Sequence, residues 1–419
     1  MDKKLKKIFK SPNNKNLLSG YYTDNIFSEC GNYIILTEVD KCFEYPSKEN
    51  PSKIWLANIY TSDIKLVDKS EACNFQQGCK AQFIKIYGEE YIIYNRWNKE
   101  KEYYSKAKNI HNDNIVIYDF PIDNISKDGK YISSINFKKI DNYKRSYGYG
   151  YYTTTNKLPK SFLNCSLKIY LSDSGDLFDE IELKNLETFS ESNNIQFLEH
   201  SLFNPASDKI AFFHNVQNGS EININFYIYD MQVKKIKLIK NITRCTHYNW
   251  LSNNEIIIWG SKGNIFTFMR KIAPNFLKNK LLTIYKKLVK GNKMDGNDVI
   301  SQKVTGDRYF KINLNNNSIT DYSKNKDLNL FDGHPSLIKK NNILVTDNYP
   351  NRENLITLKL LDHKREQIIH KKTFKHNNIA VSSEFRADLH PNVSDEYNLI
   401  VVDTFEDDKR EVHVYKLSF

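Results

Sequence analysis

The chain is poor in the residues that mark small stapled folds, and it lacks the short motifs of the common chemistries. Its six cysteines, Cys30, Cys42, Cys73, Cys79, Cys165 and Cys245, form no Cys-x-x-Cys pair. That spacing offers no disulfide framework and no zinc-finger ligand set, and it points to a reducing compartment. No run approaches the roughly 18 apolar residues of a membrane-spanning helix. The N-terminal stretch is basic but no apolar segment follows it, so no signal peptide is expected and the expected location is cytoplasmic. A phosphate-binding glycine loop, a nucleophile elbow and His-Glu-x-x-His are all absent. No nucleic-acid-binding signature occurs either, so no nucleic-acid partner is expected. The net charge of +11 reads as scattered lysines on solvated faces, with an anionic glycan or membrane surface as the functional alternative.

What the chain does have is 27 tyrosines, 24 phenylalanines and many short apolar runs between Asn, Asp, Gly and Ser turns. Aromatic and β-branched residues suit half-buried pleated surfaces. One unit recurs: a polar or His start, an apolar pair, a turn, then an apolar run. It opens at Asn25, Asn74 and Asn124, and then at four histidines, His200, His247, His334 and His390. The runs after those histidines include Lys209–Phe213, Glu255–Trp259, Asn342–Thr346 and Asn398–Val402. Seven copies in 419 residues give a period of about 60, which fits four-stranded propeller blades with loop insertions. The expectation is an all-β, seven-bladed propeller spanning 1–419 as a single domain. The segment around Leu17 and Leu18 is expected to complete the sheet of the last blade.

One segment departs from the strand rhythm. Residues 262–305 read as a helical insertion in the fifth blade. Within 270–292, Phe276, Leu277, Leu281, Ile284, Leu288 and Val289 recur at helical spacing with lysines on the other face. Such a helix either docks on a membrane surface or a partner protein, or packs on the propeller itself.

In a propeller, the residues entering the first strand of each blade meet at one mouth of the central channel. The four leading histidines should therefore converge, as metal ligands or as bases near neutral pH. The bland alternative is four separate turn caps. Gln76 and Gln77 before Gly78 either contact sugar hydroxyls or a metal, or serve only the turn. Residues 144–152, Lys-Arg-Ser-Tyr-Gly-Tyr-Gly-Tyr-Tyr, present Arg145 for a carboxylate, Tyr147 for proton transfer and Tyr149 for stacking on a sugar, unless they form a ligand-free loop. Arg386, Asp388 and His390 fall on one side of an extended segment, with a plain Arg386–Asp388 ion pair as the alternative. The remaining six histidines are given no role. Asp347, Asp403 and Glu406 end core strands, and a paired-carboxylate hydrolase stays open.

With these stretches in view, the chain resembles bacterial seven-bladed propellers related to the oligogalacturonate lyase type, of the kind associated with surface-polysaccharide loci. The resemblance rests on Asn74-Phe-Gln-Gln-Gly78, Ser126-Lys-Asp-Gly-Lys-Tyr131, Arg145-Ser-Tyr-Gly-Tyr-Gly150, Thr246-His-Tyr-Asn-Trp250, Asp332-Gly-His-Pro-Ser336 and Arg386-Ala-Asp-Leu-His-Pro391. It implies an anionic, uronate-like oligosaccharide or polysaccharide cleaved by β-elimination. A divalent metal, manganese or zinc, would neutralise the uronate carboxylate while a histidine removes the neighbouring proton. Under that implication His200 and His247 are catalytic together with Arg145 and Tyr147. Gln76, Gln77, Tyr149, Arg386 and Asp388 bind substrate, and His247, His334 and His390 hold the metal. The family's Gln-x-x-His-x-His ligand run is absent, and His390 stands alone in Arg-x-Asp-x-His. A non-catalytic scaffold or glycan-binding propeller is the alternative function.

Overall fold

The computed structural model describes residues 4–152, 165–191, 194–218, 221–262, 306–351, 353–377, 379 and 383–418. The 270–292 helix and all but the first residue of the 262–305 insertion lie outside the described residues. Seven four-stranded antiparallel sheets account for the described strands. They are the blades of a seven-bladed β-propeller, the architecture expected from the seven apolar copies. The inner strands are Asn16–Leu18, Gln82–Ile86, Asn124–Ile125, Ile195–Phe203, Tyr248–Trp250, Ser336–Ile338 and Asn392–Ser394. Among the described residues, no helix is long and apolar enough to cross a membrane.

The apolar runs are continuous rather than alternating because the middle strands are covered on both faces. In Tyr33–Val39, for example, every residue after the first is buried. The buried side chains gather into seven large clusters that bridge neighbouring blades. One of them closes the circle. Leu17, Ile26 and Leu36 of the first blade pack there with Leu399, Val401 and Val414 of the seventh.

The closing strand differs from the expectation. Leu17 belongs to the inner strand of the first blade, and its backbone partner is Glu38. The strand Lys4–Lys10 completes the seventh blade instead, antiparallel to Lys409–Ser418. It occupies an outer edge, so most of its side chains are not buried and it carries little apolar signal. Phe9 is its anchor, only 2% exposed within the junction cluster.

Truncating that anchor should open the ring. Phe9→Ala is expected to cost about 3–5 kcal/mol, the usual range for a buried phenylalanine, measured by urea denaturation. A loss below about 1 kcal/mol would show that closure does not depend on the edge strand.

His214 gives the fold an acid sensitivity. Its ring is fully buried, with Nδ1 at 2.7 Å from Thr188 Oγ1 and Nε2 at 3.2 Å from Gln196 Oε1. Burial lowers its pKa to about 4. A lowered histidine pKa contributes stability above the unfolded value near 6.5, and that stability is lost as pH falls toward 4. The loss amounts to about 3 kcal/mol. His214→Gln should flatten the stability profile between pH 6.5 and 4, and an unchanged acid limb in chemical denaturation would contradict this assignment.

Candidate functional site

Blades four to seven each send one histidine to the channel. His200 lies within the inner strand Ile195–Phe203, at a bulge where pairing with Lys209–Asn218 slips between Glu199 and Leu202. Its φ is 53°, and that of His390 is 43°. Both occupy the left-handed region, which costs on the order of 1–3 kcal/mol for a non-glycine residue. A bulge re-aims a side chain, and here it turns His200 toward the axis. His247 and His334 stand just before the strands Tyr248–Trp250 and Ser336–Ile338.

Three of the rings touch in a row. Centroids are 4.3 Å apart for His247 and His334, and 4.4 Å for His334 and His390. His200 joins through Tyr21, whose hydroxyl lies 2.7 Å from His200 Nε2. The Tyr21 ring is 5.1 Å from His390 and 5.9 Å from His334. Tyr22 follows at 5.2 Å from His334 and 6.3 Å from His247. These two tyrosines leave the first blade after Asn16–Leu18 and fill the space among the histidines. Asn392 Nδ2 holds the loop by donating to the carbonyls of Tyr21 and Asp24, and Tyr22 donates its hydroxyl to the Tyr248 carbonyl at 2.8 Å. Tyr147 packs on His200, and Tyr349 lies beside His247 and His334.

Every axial histidine has a carboxylate partner. Nδ1 of His200 lies 3.5 Å from Glu199, that of His247 2.9 Å from Asp332, and that of His334 3.0 Å from Asp347. Nε2 of His390 is 3.9 Å from Asp388. The Asp347 contact depends on Gly333, because a Cβ at that position would collide with the Asp347 carbonyl oxygen.

Burial and charge then divide the four rings. Burial lowers the pKa of His200 against the pull of Glu199, and that of His247 against the pull of Asp332. His390 falls furthest, through burial and the nearby positive charges of His334 and Arg386. His334 alone is raised, since Asp347, then Asp388 and Asp332, outweigh its burial. Asp388 is buried too, but Arg386 and His334 hold its carboxyl below the usual range.

Besides Glu199 Oε2, three of these groups leave unsatisfied atoms. His334 Nε2, His390 Nε2 and Asp388 Oδ1 are buried and lack hydrogen-bond partners. Ligand atoms of His334, Asp388 and His390 lie within 4.8 Å of one another. Buried polar atoms without partners cost free energy unless something fills the gap between them. Two imidazoles and a carboxylate suit a divalent transition-metal ion, and Asp347 behind His334 is the carboxylate–histidine arrangement that orients such ligands. The site therefore fits a metal, with Asp388 in the set where the sequence pointed to His247.

Several other expected residues have partners within the chain. Asn74 Oδ1 accepts from the backbone of Gln76 and Gln77, so both belong to a turn. Gln76 Nε2 donates to the Arg386 carbonyl at 2.9 Å. Arg386 is engaged with Asp388 at 2.6 Å. Tyr149 is 1% exposed and stacks on Phe137 in the core, away from the rings. The glycine-rich loop around it winds about Asp141, which accepts from the backbone of Tyr149, Gly150 and Tyr152. Arg145 is exposed and pairs with Glu384 at 3.2 Å.

Sequence reasoning missed Tyr21, Tyr22 and Tyr349. Gly20-Tyr-Tyr-Thr-Asp24 precedes an apolar run as the histidines do, and that parallel was the available signal. A second buried set lies beside Tyr21, where Lys80 Nζ is 2.7 Å from Asp24 and 3.6 Å from Asp123.

Gly333→Ala should push Asp347 and His334 apart, costing about 1–3 kcal/mol as overpacking does. Denaturation measures this, and unchanged stability would show that the contact has slack.

No protein-family model matches the chain, and no curated protein matches it. Solved structures do. An oligogalacturonate lyase in complex with manganese aligns at a TM-score of 0.60 and 9% identity, covering 100% of this chain and 97% of that one. An oligogalacturonate lyase from Vibrio parahaemolyticus aligns at 0.57 and 10% identity, covering 99% and 97%. The propeller domain of the Trilobed protease from Pyrococcus furiosus aligns at 0.50 and 10% identity, covering 95% and 97%. In fold, the chain is similar to the oligogalacturonate lyases over essentially its whole length.

Proposed function

We propose that the chain is a carbohydrate-active propeller that takes an anionic, uronate-like glycan at the axial histidines and cleaves it by β-elimination. The observation that carries this reading is the trio of unpartnered buried atoms on His334, Asp388 and His390. The likeness to a manganese-bound oligogalacturonate lyase supports it. His334, Asp388 and His390 would hold a divalent ion, manganese or zinc. When bound, that ion would neutralise the substrate carboxylate and so acidify the C–H bond beside it.

The remaining work falls to the chain itself. Asp332 and Glu199 orient His247 and His200, and burial keeps both rings neutral and able to accept a proton. Asp332 and Tyr349 are partly exposed and mark the approach to the site. Arg145 can exchange Glu384 for a substrate carboxylate, because its ion pair is exposed and weakly held.

A second reading is a glycan-binding or scaffold propeller without catalysis in surface-polysaccharide assembly. The near-complete burial of Tyr21 and Tyr22 among the histidines favours it, because the rings occupy space a sugar would need.

Two measurements separate these readings. Titration calorimetry with Mn²⁺ should give one ion per chain, and His334→Ala with His390→Ala should abolish it. Oligogalacturonate and other uronate oligomers should yield 4,5-unsaturated products, seen by their ultraviolet absorbance. Glycan binding without unsaturated product would support the scaffold reading, and failure to bind either metal or glycan would sink both.

A further inference from the structure

The four axial histidines differ in what their inward nitrogen meets. His334 and His390 present bare nitrogens. His247 uses Nδ1 on Asp332, and no side-chain hydroxyl meets its other nitrogen among the described hydrogen bonds. His200 alone carries a hydroxyl there, that of Tyr21 at 2.7 Å from Nε2. Behind the ring, Nδ1 faces Glu199 Oε2 at 3.5 Å. That oxygen is buried and has no hydrogen-bond partner. The other Glu199 oxygen is already taken by Lys144 at 2.6 Å and Asn215 at 2.9 Å. The result is a chain of groups from carboxylate to imidazole to phenol, and the phenol ring ends against His390 and His334.

We propose that Tyr21 is the residue that exchanges the proton with the substrate, and that His200 and Glu199 are the positioning residues behind it. The assignment rests on the elimination reading above and names the proton-transferring group within the same site. With His200 neutral and its Nδ1–H toward Glu199, the Tyr21 hydroxyl donates to Nε2 and its oxygen keeps lone pairs able to accept a proton. The substrate C–H bond beside the carboxylate breaks and its proton goes to the Tyr21 oxygen. At the same time the phenol proton moves to His200 Nε2. The C–H electrons form the new carbon–carbon double bond as the adjacent carbon–oxygen bond breaks. The imidazolium, balanced by Glu199, returns its proton through Tyr21 to the departing oxygen. The protein ends as it began, and no oxidant or co-reactant is needed. The arrangement uses the logic of a carboxylate–histidine–hydroxyl triad with a phenol in the outer place.

The test compares wild type, Tyr21→Phe and His200→Gln on oligogalacturonate, with metal content and melting temperature measured on each protein. Tyr21→Phe keeps the ring and its packing, so it should retain its metal and melt within a few degrees of wild type. Its kcat should fall at least 100-fold while KM stays within about threefold, a split that a merely structural tyrosine would not produce. If Tyr21→Phe does not fold, His200→Gln carries the test, with the same loss of kcat expected while Tyr21 remains in place. Near wild-type kcat in either folded variant would overturn the assignment while leaving elimination intact. Absence of unsaturated product from wild type itself would remove the elimination reading, and this assignment with it.

Discussion

The pairing of Lys4–Lys10 with Lys409–Ser418 is the constraint on which the axial site depends. Blades four to seven place their histidines at one channel only if the circle is shut, and the circle is shut between blades seven and one. The edge strand supplies hydrogen bonds, and Phe9 supplies apolar contact with Leu17, Ile26, Leu399 and Val412. The first blade in turn sends Tyr21 and Tyr22 to the axis, so closure brings tyrosines from one end of the chain against histidines from the other. Asn392 of the seventh blade fixes that meeting through the carbonyls of Tyr21 and Asp24.

Around the axis, the structure concentrates charge where water is scarce. Carboxylates back every histidine, and buried ion pairs such as Lys80–Asp24 and Arg386–Asp388 add to the load. Burying ions is expensive, and removing one partner leaves an uncompensated charge. Two histidines are also held with left-handed backbone. A fold held by apolar blade junctions has no structural need of such a set. Its presence around the axis, where the described blades converge, supports the proposal that the site lies there.

Much of this was legible in the sequence, and the parts that were not have identifiable causes. Strands buried on both faces leave continuous apolar runs, so the seven blades could be counted. The histidines stood at equivalent places in four copies, so their convergence followed from the count. The closing strand was misplaced because Leu17 and Leu18 are apolar while Lys4–Lys10 is largely lysine, as suits an outer edge. Tyr21 and Tyr22 were overlooked because their excursion interrupts the inner strand and the first copy was read from Asn25. The glycines near Tyr147 look like a ligand loop in sequence. In space, Gly148 is required because a Cβ there would strike Asp141, the carboxylate about which the loop is wound. The partners of the histidines, Asp332 and Asp347 among them, depend on distances that no spacing encodes.

The central claim is that His334, Asp388 and His390 enclose a place for one divalent cation at the propeller axis. Anomalous diffraction from crystals grown with Mn²⁺ tests it most directly. The account predicts a single strong peak among His334 Nε2, His390 Nε2 and Asp388 Oδ1. A manganese peak elsewhere in the chain, or ordered water with no anomalous signal among those three atoms, would contradict it.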